Sequence, residues 1–500
     1  MFPKAANCSV APGSSRSYVF RRLLGQETEY AIRFRSLASQ AEASSGAGRP
    51  GHSRIFQAFR YAIRRIVKTR PGEWLFFLEN FFTENGGAFN YEALPYAPEA
   101  GLIEGATPEC HSPHELLLYQ RAQEALLLRA RPDASRYLER RGHRGELGLI
   151  KNCRDAEGHI YGAQESYEVE IARGWRLGLL RAVTAISLGP AVLWWLLYLL
   201  LVSALVIVAL LVPAIAWLAY GLVYLLVYLT VGGLGEVLGL HALAAPLIGL
   251  RRLRASVARW IGSLAESEAL HRLAAWGEYL LVYPFTYLGV LPYGVALHAL
   301  AFRRERRLLS AFLISRPVLS GAGTLLDPET GSFALSEKAT ALRRLFRLSI
   351  SPSQRSLFDS GNLHKSFLLT GFSVVLLRPA SLRRLFQRRT RMQIGMSDSN
   401  RAQLAELLKS GSMTLVLDAA EAGYLNDAPR LKRARRALRL INGDPTLSCR
   451  VPLRDGRSLG ALEIQQEYLA GVRRYLADFA EVDERATEIV RLWGETLEAL

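Results

Sequence analysis

Cysteine is scarce in this chain: only Cys8, Cys110, Cys153 and Cys449 are found in 500 residues. They are scattered, with no Cys-x-x-Cys pair and no histidine at the spacing of a metal ligand. This distribution argues against a disulfide framework and against a zinc site. The opening segment, MFPKAANCSVAPGSSRSYVF, lacks the continuous apolar core of a signal peptide, and we expect residues 1–17 to form a disordered lead.

Charged residues are absent from residues 182–235, which contain no Asp, Glu, Lys or Arg. One membrane span needs about 20 apolar residues, so this stretch could hold two. We predict a transmembrane helical hairpin with spans near 187–211 and 214–234, which reverses direction near Pro213. A buried hairpin of a soluble protein is the alternative, but it would require a large surrounding core.

Basic residues exceed acidic residues by 62 to 45, a formal net charge of +17. Such an excess is typical of proteins that meet nucleic acid, an acidic partner or anionic lipid, and the apolar stretch favours lipid. Arginines cluster at 173–181, 251–259 and 303–307, and the positive-inside rule places all three clusters in the cytoplasm. A second uncharged stretch, 279–302, is interrupted by Pro and Gly, so we expect it to be re-entrant or interfacial.

The first ordered stretch, LLGQETEYAIRF at residues 23–34, alternates like a strand and carries Glu27 and Glu29 at positions i and i+2. Side chains with this spacing point to the same face of a strand. Two carboxylates on one face repel each other unless positive charge lies nearby. The pattern therefore indicates either an exposed edge strand or half of a divalent-cation site.

Segments with strand and helix patterns lie on both sides of the apolar region. We interpret residues 18–181 and 303–425 as one split α+β domain, residues 182–302 as a membrane insertion and residues 426–500 as a helical C-terminal domain. If both parts of the split domain fold together, they lie on one side of the bilayer. The number of complete crossings between them is then even.

The stretch LLGQETEYAIRF resembles the first strand of the Pup ligase and depupylase family, whose chains begin with a G-x-E-x-E-Tyr/Phe motif. Further segments resemble motifs of that family in the same order along the chain. They are NGGAFNYE (85–92), GLIEGATPECHSP (101–113), RDAEGHIYGAQESYEVE (154–170), ISRPVLSGAGTLL (314–326), SISPSQRSLF (349–358), RMQIGMSDSN (391–400), SMTLVLDAAEAG (412–423) and LGALEIQQEYL (459–469).

The resemblance implies an α+β, glutamine-synthetase-like fold in which an antiparallel sheet forms a cradle packed on helices. It also implies the use of ATP and Mg²⁺, because carboxylate activation brings phosphate and carboxylate charges together and the metal neutralises them. By resemblance Glu27 and Glu104 would be metal ligands, and Glu29 would help to shape the same site. Thr107 would contact the nucleotide, and Glu92 stands where the family has a catalytic aspartate.

Several positions depart from the family pattern. Ala88 replaces an arginine that would face phosphate, and Asn90 replaces a tyrosine of the metal site. Gln164 and Ser166 replace a histidine and an asparagine, and Gln393 replaces another histidine. The acids that would face the cation are mostly retained, whereas the groups that would bind phosphate or transfer protons are mostly lost.

Two functions remain open at this point. The chain would be a membrane-anchored Pup ligase/depupylase-like enzyme that uses ATP and Mg²⁺ to form or cleave an isopeptide or related amide bond. Its partners would be a small ubiquitin-like modifier, the conjugates of that modifier and membrane lipid, with no nucleic acid. The alternative is an inactive module that binds nucleotide or modifier at the membrane. A channel is disfavoured because residues 182–235 contain no charged side chain for an ion path.

Overall fold

The structure is a computed structural model that describes residues 19–37, 49–72, 80–94, 97–155, 158–232, 237–239, 290–346, 356–376, 382–479 and 482–500. The disordered lead predicted for residues 1–17 lies outside these ranges, as does the part of the predicted re-entrant stretch at 279–289. The described chain mixes strands and helices, which confirms the predicted α+β class.

Strands are labelled in chain order. They are β1 (Leu24–Ser36), β2 (Thr69–Pro71), β3 (Asn80–Thr83), β4 (Ala88–Leu94), β5 (Ala97–Ala106), β6 (Gly145–Ile150), β7 (Ala163–Glu170), β8 (Thr324–Asp327), β9 (Ser332–Ala334), β10 (Arg344–Phe346), β11 (Ser356–Asp359), β12 (Arg389–Ile394), β13 (Arg450–Pro452) and β14 (Ser458–Gly460).

Ten of these strands form one sheet with the order β10-β11-β12-β7-β1-β5-β4-β3-β2, and β6 also pairs with β1. The pairing is antiparallel except between β10 and β11. The central strand β1 is 13 residues long, so it pairs with β7 at its start and with β6 at its end. Two separate hairpins, β8-β9 and β13-β14, complete the described strands.

Helices cover one face of the sheet and extend the fold beyond it. The described helices are His52–Ile63, Pro113–Glu139, Trp175–Val227, Val290–Leu300, Arg303–Ser315, Pro317–Ser320, Glu337–Ala341, Gly361–Val375, Leu382–Leu385, Gln403–Ala422, Ala434–Asn442, Ala461–Ala477 and Glu484–Ala499, with a π-helical turn at Tyr228–Gly232.

The apolar face of β1 explains why this strand lies at the centre of the sheet. Tyr30, Ile32 and Phe34 alternate along it and are buried. They pack in one core with helices His52–Ile63 and Pro113–Glu139, which supply residues such as Phe56, Phe59, Leu127 and Leu138. Because side chains alternate between the faces of a strand, this burial leaves Glu27 and Glu29 on the opposite face.

A tight turn joins β3 to β4, as the Asn-Gly-Gly sequence predicts. The side-chain oxygen of Asn85 accepts hydrogen bonds from the backbone N–H of Gly87 at 3.1 Å and from the hydroxyl of Thr83 at 2.7 Å. Gly86 has a φ of 90°, in the left-handed region that glycine adopts without strain. The turn fixes the register of β4 and hence the face on which Glu92 lies.

The chain divides into two compact units. The first contains residues 1–177, 297–363 and 387–500, and the second contains residues 178–296 and 364–386. In the first unit β12, which follows the apolar region, pairs with β7, which precedes it. Strands from both sides of the insertion therefore belong to one sheet. Residues 426–500 lie in the same unit as the sheet.

The predicted transmembrane hairpin is wrong at its turn. One continuous helix, Trp175–Val227, runs through Pro213 without reversing. Proline in a helix interior removes one hydrogen bond and bends the helix, but a reversal also needs turn-forming residues. The neighbours of Pro213, LLV before it and AIA after it, are all apolar and contain none.

The long helix remains strongly apolar on its exposed side. Among the described residues one segment, Trp175–Leu201, is long and apolar enough to cross a membrane. Within its own unit the helix packs through Trp195, whose indole N–H donates to the carbonyl of Leu368 at 2.9 Å and whose ring lies 4.9 Å from that of Phe372. Large apolar side chains such as Leu218 are nevertheless exposed.

Candidate functional site

Three neighbouring strands place acidic and amide side chains on the sheet face opposite the apolar core. In the antiparallel register Glu29 of β1 is the partner of Glu104 of β5, and Glu104 is the partner of Asn90 of β4. Directly opposed residues of an antiparallel pair share a face. Glu27 and Glu92 lie two residues from Glu29 and Asn90, so they lie on this face too. We call this surface the acidic face.

Strands β7 and β12 extend the acidic face with neutral and basic side chains. Glu27 is the partner of Gln164, and Ser166 is the partner of Gln393. Arg391 lies two residues before Gln393 and shares its face. The face therefore combines carboxylates from β1, β4 and β5 with groups from β7 and β12, which lie far apart in the sequence.

Glu104 is the carboxylate whose ionisation this environment opposes. It is half-buried, and its carboxylate accepts a hydrogen bond from the amide of Asn90 at 3.4 Å. Loss of hydration raises the pKa of Glu104 well above its usual value, and the nearby charges of Glu27, Glu92 and Glu29 raise the pKa further. Negative charge is thus concentrated around Glu104, and a bound cation would relieve it.

Glu27 is shared with basic and amide partners. The guanidinium of Arg391 donates to its carboxylate at 2.6 Å, and the amide of Gln393 donates at 3.3 Å. Arg391 also donates from Nε to the hydroxyl of Ser166 at 2.6 Å. These contacts hold Arg391 across the acidic face. Sequence reasoning missed this residue, although its position in the motif RMQIGMSDSN was a signal.

Glu29 is buried and has a positive partner. The ammonium of Lys338 lies 3.7 Å from its carboxylate and donates to the carbonyl of Ala163 at 2.6 Å. The backbone N–H of Gly162 also donates to the Glu29 carboxylate. Glu29 therefore belongs to a buried ion pair. Its carboxylate connects β1 to Gly162, which directly precedes β7, and to Lys338 of helix Glu337–Ala341.

The residues of the acidic face fit a magnesium ion only in part. Within the described ranges, no group of three or more His, Cys, Asp or Glu side chains is placed to hold a metal ion. Magnesium, however, usually takes one or two carboxylates and fills its other positions with water and phosphate oxygens. Glu104 and Glu27 would supply those carboxylates, Glu27 only when its ion pair with Arg391 opens, whereas Glu29 is paired with Lys338.

Glu92 and Thr107 lie at different ends of the neighbouring strands. Glu92 is an exposed residue of β4. Thr107 follows the end of β5, where its hydroxyl accepts from the backbone N–H of Gln26 at 3.1 Å and its own N–H donates to the carbonyl of Gln26 at 2.9 Å. Thr107 thus joins β5 to the start of β1, and its predicted contact with nucleotide stays a prediction.

Glu165 does not belong to the acidic face, although its motif resembles a functional segment of the family. It is fully buried, and Arg316 donates to it twice, at 2.7 and 2.8 Å. The hydroxyl of Tyr167 donates to the same carboxylate at 2.6 Å. Burial and the Glu165 charge raise the pKa of Tyr167. This ion pair links β7 to the start of helix Pro317–Ser320, which is a structural role.

Asp398 also has a structural role. Its carboxylate accepts from the backbone N–H of Ala322 at 3.0 Å and from those of Glu337 and Lys338 at 3.1 Å. It therefore satisfies free N–H groups at the start of helix Glu337–Ala341. That helix carries Lys338, so Asp398 positions the lysine that pairs with Glu29.

The fold and the acidic face define a class of protein: an α+β protein whose antiparallel sheet is covered by helices on one face and lined by carboxylates on the other. The sequence profile of the family described as Pup-ligase protein matches residues 22–500. The chain therefore belongs to the Pup-ligase family, which confirms the family suggested by the motifs.

Individual relatives match a smaller part of the chain. A Pup--protein ligase from Rhodococcus erythropolis (strain PR4 / NBRC 100887) is 30% identical over 200 residues, which is 40% of this chain and 40% of that protein. A Pup--protein ligase from Arthrobacter sp. (strain FB24) is 29% identical over the same lengths. The chain thus spans about 40% of the length of the curated relatives that it matches.

A solved structure supports the fold over nearly the whole chain. It is the crystal structure of the complex between the prokaryotic ubiquitin-like protein Pup and its ligase PafA, with a TM-score of 0.54 and 17% sequence identity. The match covers 96% of this chain and 63% of that chain. At 17% sequence identity, this likeness establishes that the two chains share a fold.

Proposed function

We propose that this chain is a membrane-associated Pup-ligase-like enzyme that binds a magnesium nucleotide on its acidic face. It would form an amide bond between the carboxylate of a small ubiquitin-like protein modifier and an amine, or cleave such a bond. The observation that supports this proposal is the position of Glu104, which shares one face of the sheet with Glu29, Glu27 and Glu92 and whose pKa is raised first by burial and then by those charges. Carboxyl groups whose ionisation is opposed by their surroundings are concentrated at sites that bind cations or perform catalysis.

The side chains have distinct roles in this proposal. Glu104 and Glu27 would hold magnesium, which when bound neutralises phosphate charge and orients the γ-phosphate. Arg391 would exchange its contact with Glu27 for a phosphate oxygen, because a guanidinium binds either anion with the same fork of donors. Glu92, exposed on β4, would accept the proton that the attacking amine releases.

We further propose that the apolar helix attaches the protein to the cytoplasmic membrane, with the acidic face in the cytoplasm. The exposed leucines and isoleucines of Trp175–Val227 support this location, because an apolar surface of this extent is rare on a soluble protein. Strands β7 and β12 flank the insertion and pair directly, so both lie on one side of any bilayer that the intervening chain enters.

A second candidate function is a recruitment module that binds nucleotide or modifier without turnover. The ion pair between Arg391 and Glu27 favours it, because it occupies a carboxylate that catalysis would need for the metal. The amides of Gln164 and Gln393, which bond to each other beside this pair, do not transfer protons. In this reading the acidic face remains a binding surface and the reaction is lost.

Turnover measurements on full-length protein in detergent separate the two candidates. ATP hydrolysis, conjugation of a modifier and cleavage of a modifier conjugate would be measured with Mg²⁺ for the wild type, Glu92→Gln and Glu104→Gln. The proposed enzyme shows a magnesium-dependent activity that both substitutions reduce by about 100-fold. Glu498→Gln, at an exposed position of helix Glu484–Ala499, is the matched control and retains the activity. Nucleotide binding without any of the three reactions would favour the recruitment module.

A further inference from the structure

A cavity lined by residues other than those of the acidic face lies within the same compact unit. It is a cavity of about 710 Å³ between helix Arg303–Ser315, strands β10 and β11, and helix Ala434–Asn442. Seven arginines line it: Arg303, Arg306, Arg307, Arg344, Arg430, Arg435 and Arg454. We call it the arginine pocket. Its lining includes no Asp or Glu among the described residues.

The interior of the arginine pocket is apolar. Phe346 and Phe358 are buried and contribute to the lining together with Ala311, Leu345 and Leu431. A cavity of this size, with an apolar floor and convergent polar groups, has the dimensions of a small-molecule site. Seven cations around one cavity repel each other unless an anion or water compensates their charge.

Arg306 has no acidic partner among the residues that line the pocket. Its guanidinium lies over the ring of Phe346, 4.2 Å from the centroid, and donates from Nη2 to the carbonyl of His298 at 2.8 Å. Its Nε is buried without a hydrogen-bond partner in the described chain. Burial, and after it the charge of Arg303, lower the pKa of Arg306 to about 10 against the opposite effect of Glu305. Glu305 itself is buried and interacts with Arg173 and Arg304.

The geometry points to a binding site for a multiply phosphorylated anion in the arginine pocket. Arginine presents planar, forked donors that match phosphate oxygens, and several of them around one cavity select for more than one phosphate group. The apolar floor formed by Phe346 and Phe358 would contact a ring or chain attached to the phosphates. The phosphates belong either to a soluble compound or to the headgroup of a membrane lipid.

Two binding measurements on the full-length protein in detergent test this site. Inorganic tripolyphosphate would be titrated calorimetrically in EDTA, which suppresses magnesium-dependent binding elsewhere. Mixed micelles of detergent and phosphatidylcholine, with and without a phosphoinositide, would test the lipid source. Saturable binding in either arm, with one equivalent of tripolyphosphate per chain in the first, is the expected result.

Variants decide whether the arginine pocket is responsible. Arg435→Gln and Arg454→Gln remove exposed arginines of the pocket, and we expect each to weaken binding about tenfold, as befits a charge-assisted hydrogen bond. Arg474→Gln removes the same charge from an exposed position of helix Ala461–Ala477 and should leave the affinity unchanged. Arg306 also packs on Phe346, so Arg306→Gln could weaken binding by destabilising the fold. A melting curve of this variant is therefore measured together with its affinity.

Three results would overturn the site. They are the absence of saturable binding in both arms, an equal loss of affinity in Arg474→Gln and the pocket variants, and tighter binding of a poly-glutamate peptide than of tripolyphosphate. The last result would identify the pocket as a docking surface for an acidic protein segment.

Discussion

At the scale of single residues, Glu104 illustrates how a fold can hold a carboxylate against its own tendency to ionise. Its pKa is raised because burial removes water and because Glu27, Glu92 and Glu29 add negative charge around it. Each pKa unit by which the folded state exceeds the unfolded state corresponds to about 1.4 kcal/mol of lost stability above that pH.

The raised pKa of Glu104 gives stability a definite pH dependence. Below its ordinary pKa the carboxyl is protonated in both states, so the wild type and Glu104→Gln should melt together. As the pH rises toward the raised pKa, the unfolded state ionises first and the wild type loses stability. At neutral pH we expect Glu104→Gln to melt about 1 °C higher, which corresponds to roughly 1 kcal/mol for a chain of 500 residues.

Melting curves of purified protein between pH 4 and pH 8 check this expectation. Addition of Mg²⁺ with nucleotide at neutral pH should raise the Tm of the wild type more than that of Glu104→Gln. Equal melting temperatures of the two proteins at every pH would contradict the proposed charge cluster.

Residue positions on the acidic face follow from the sequence because a strand alternates strictly. The spacing of Glu27 and Glu29 was enough to predict a shared face, and the family motif added Glu104. Partners from distant segments were not predictable in this way. Tertiary packing brings these partners together. Helices that follow the insertion pack against β1 and β7, and they place Lys338 beside Glu29 and Arg316 beside Glu165.

At the scale of elements, the apolar helix Trp175–Val227 poses the main physical question. An α-helix rises about 1.5 Å per residue, so its 53 residues extend about 80 Å, well beyond the roughly 30 Å core of a bilayer. Hydropathy located the apolar element in the sequence, but it did not predict whether the helix would end at Pro213 or continue through it.

Charged substitutions on the exposed side of this helix test its proposed contact with lipid. Leu218 is 76% exposed, and we expect Leu218→Arg to reduce membrane attachment, since an arginine in contact with the hydrocarbon core costs up to about 2.5–3.5 kcal/mol. Leu118→Arg, at a 65% exposed position of helix Pro113–Glu139, is the matched control and should leave attachment unchanged.

Flotation of the full-length protein with vesicles measures the difference. Equal flotation of Leu218→Arg and the wild type would show that this part of the helix does not contact the bilayer.

At the scale of the whole molecule, the defining feature is one sheet assembled from both sides of an insertion. Strands β7 and β12 are neighbours, although more than 200 residues separate them. The family motifs predicted this return of the chain because they appear in family order before and after the apolar region. Both portions therefore lie on one side of any bilayer that the intervening chain enters.

A designed disulfide tests the pairing of β7 with β12. Val169 and Thr390 are register partners, so Val169→Cys with Thr390→Cys should form a cross-link under mild oxidation. A protease site inserted at residues 237–239 would then allow the chain to be cut into two fragments. The disulfide would hold these fragments together until it is reduced. Val169→Cys with Thr487→Cys provides an unpaired control, and cross-linking of the control to the same extent would refute the register.

The most direct test of the acidic face is the equilibrium binding of a fluorescent ADP analogue to full-length protein, with Mg²⁺ or with EDTA. We predict a magnesium-dependent component of binding that Glu104→Gln weakens by about 10- to 100-fold and that Glu498→Gln preserves. Binding that is indifferent to magnesium, or that is as tight in Glu104→Gln as in the wild type, would contradict this prediction.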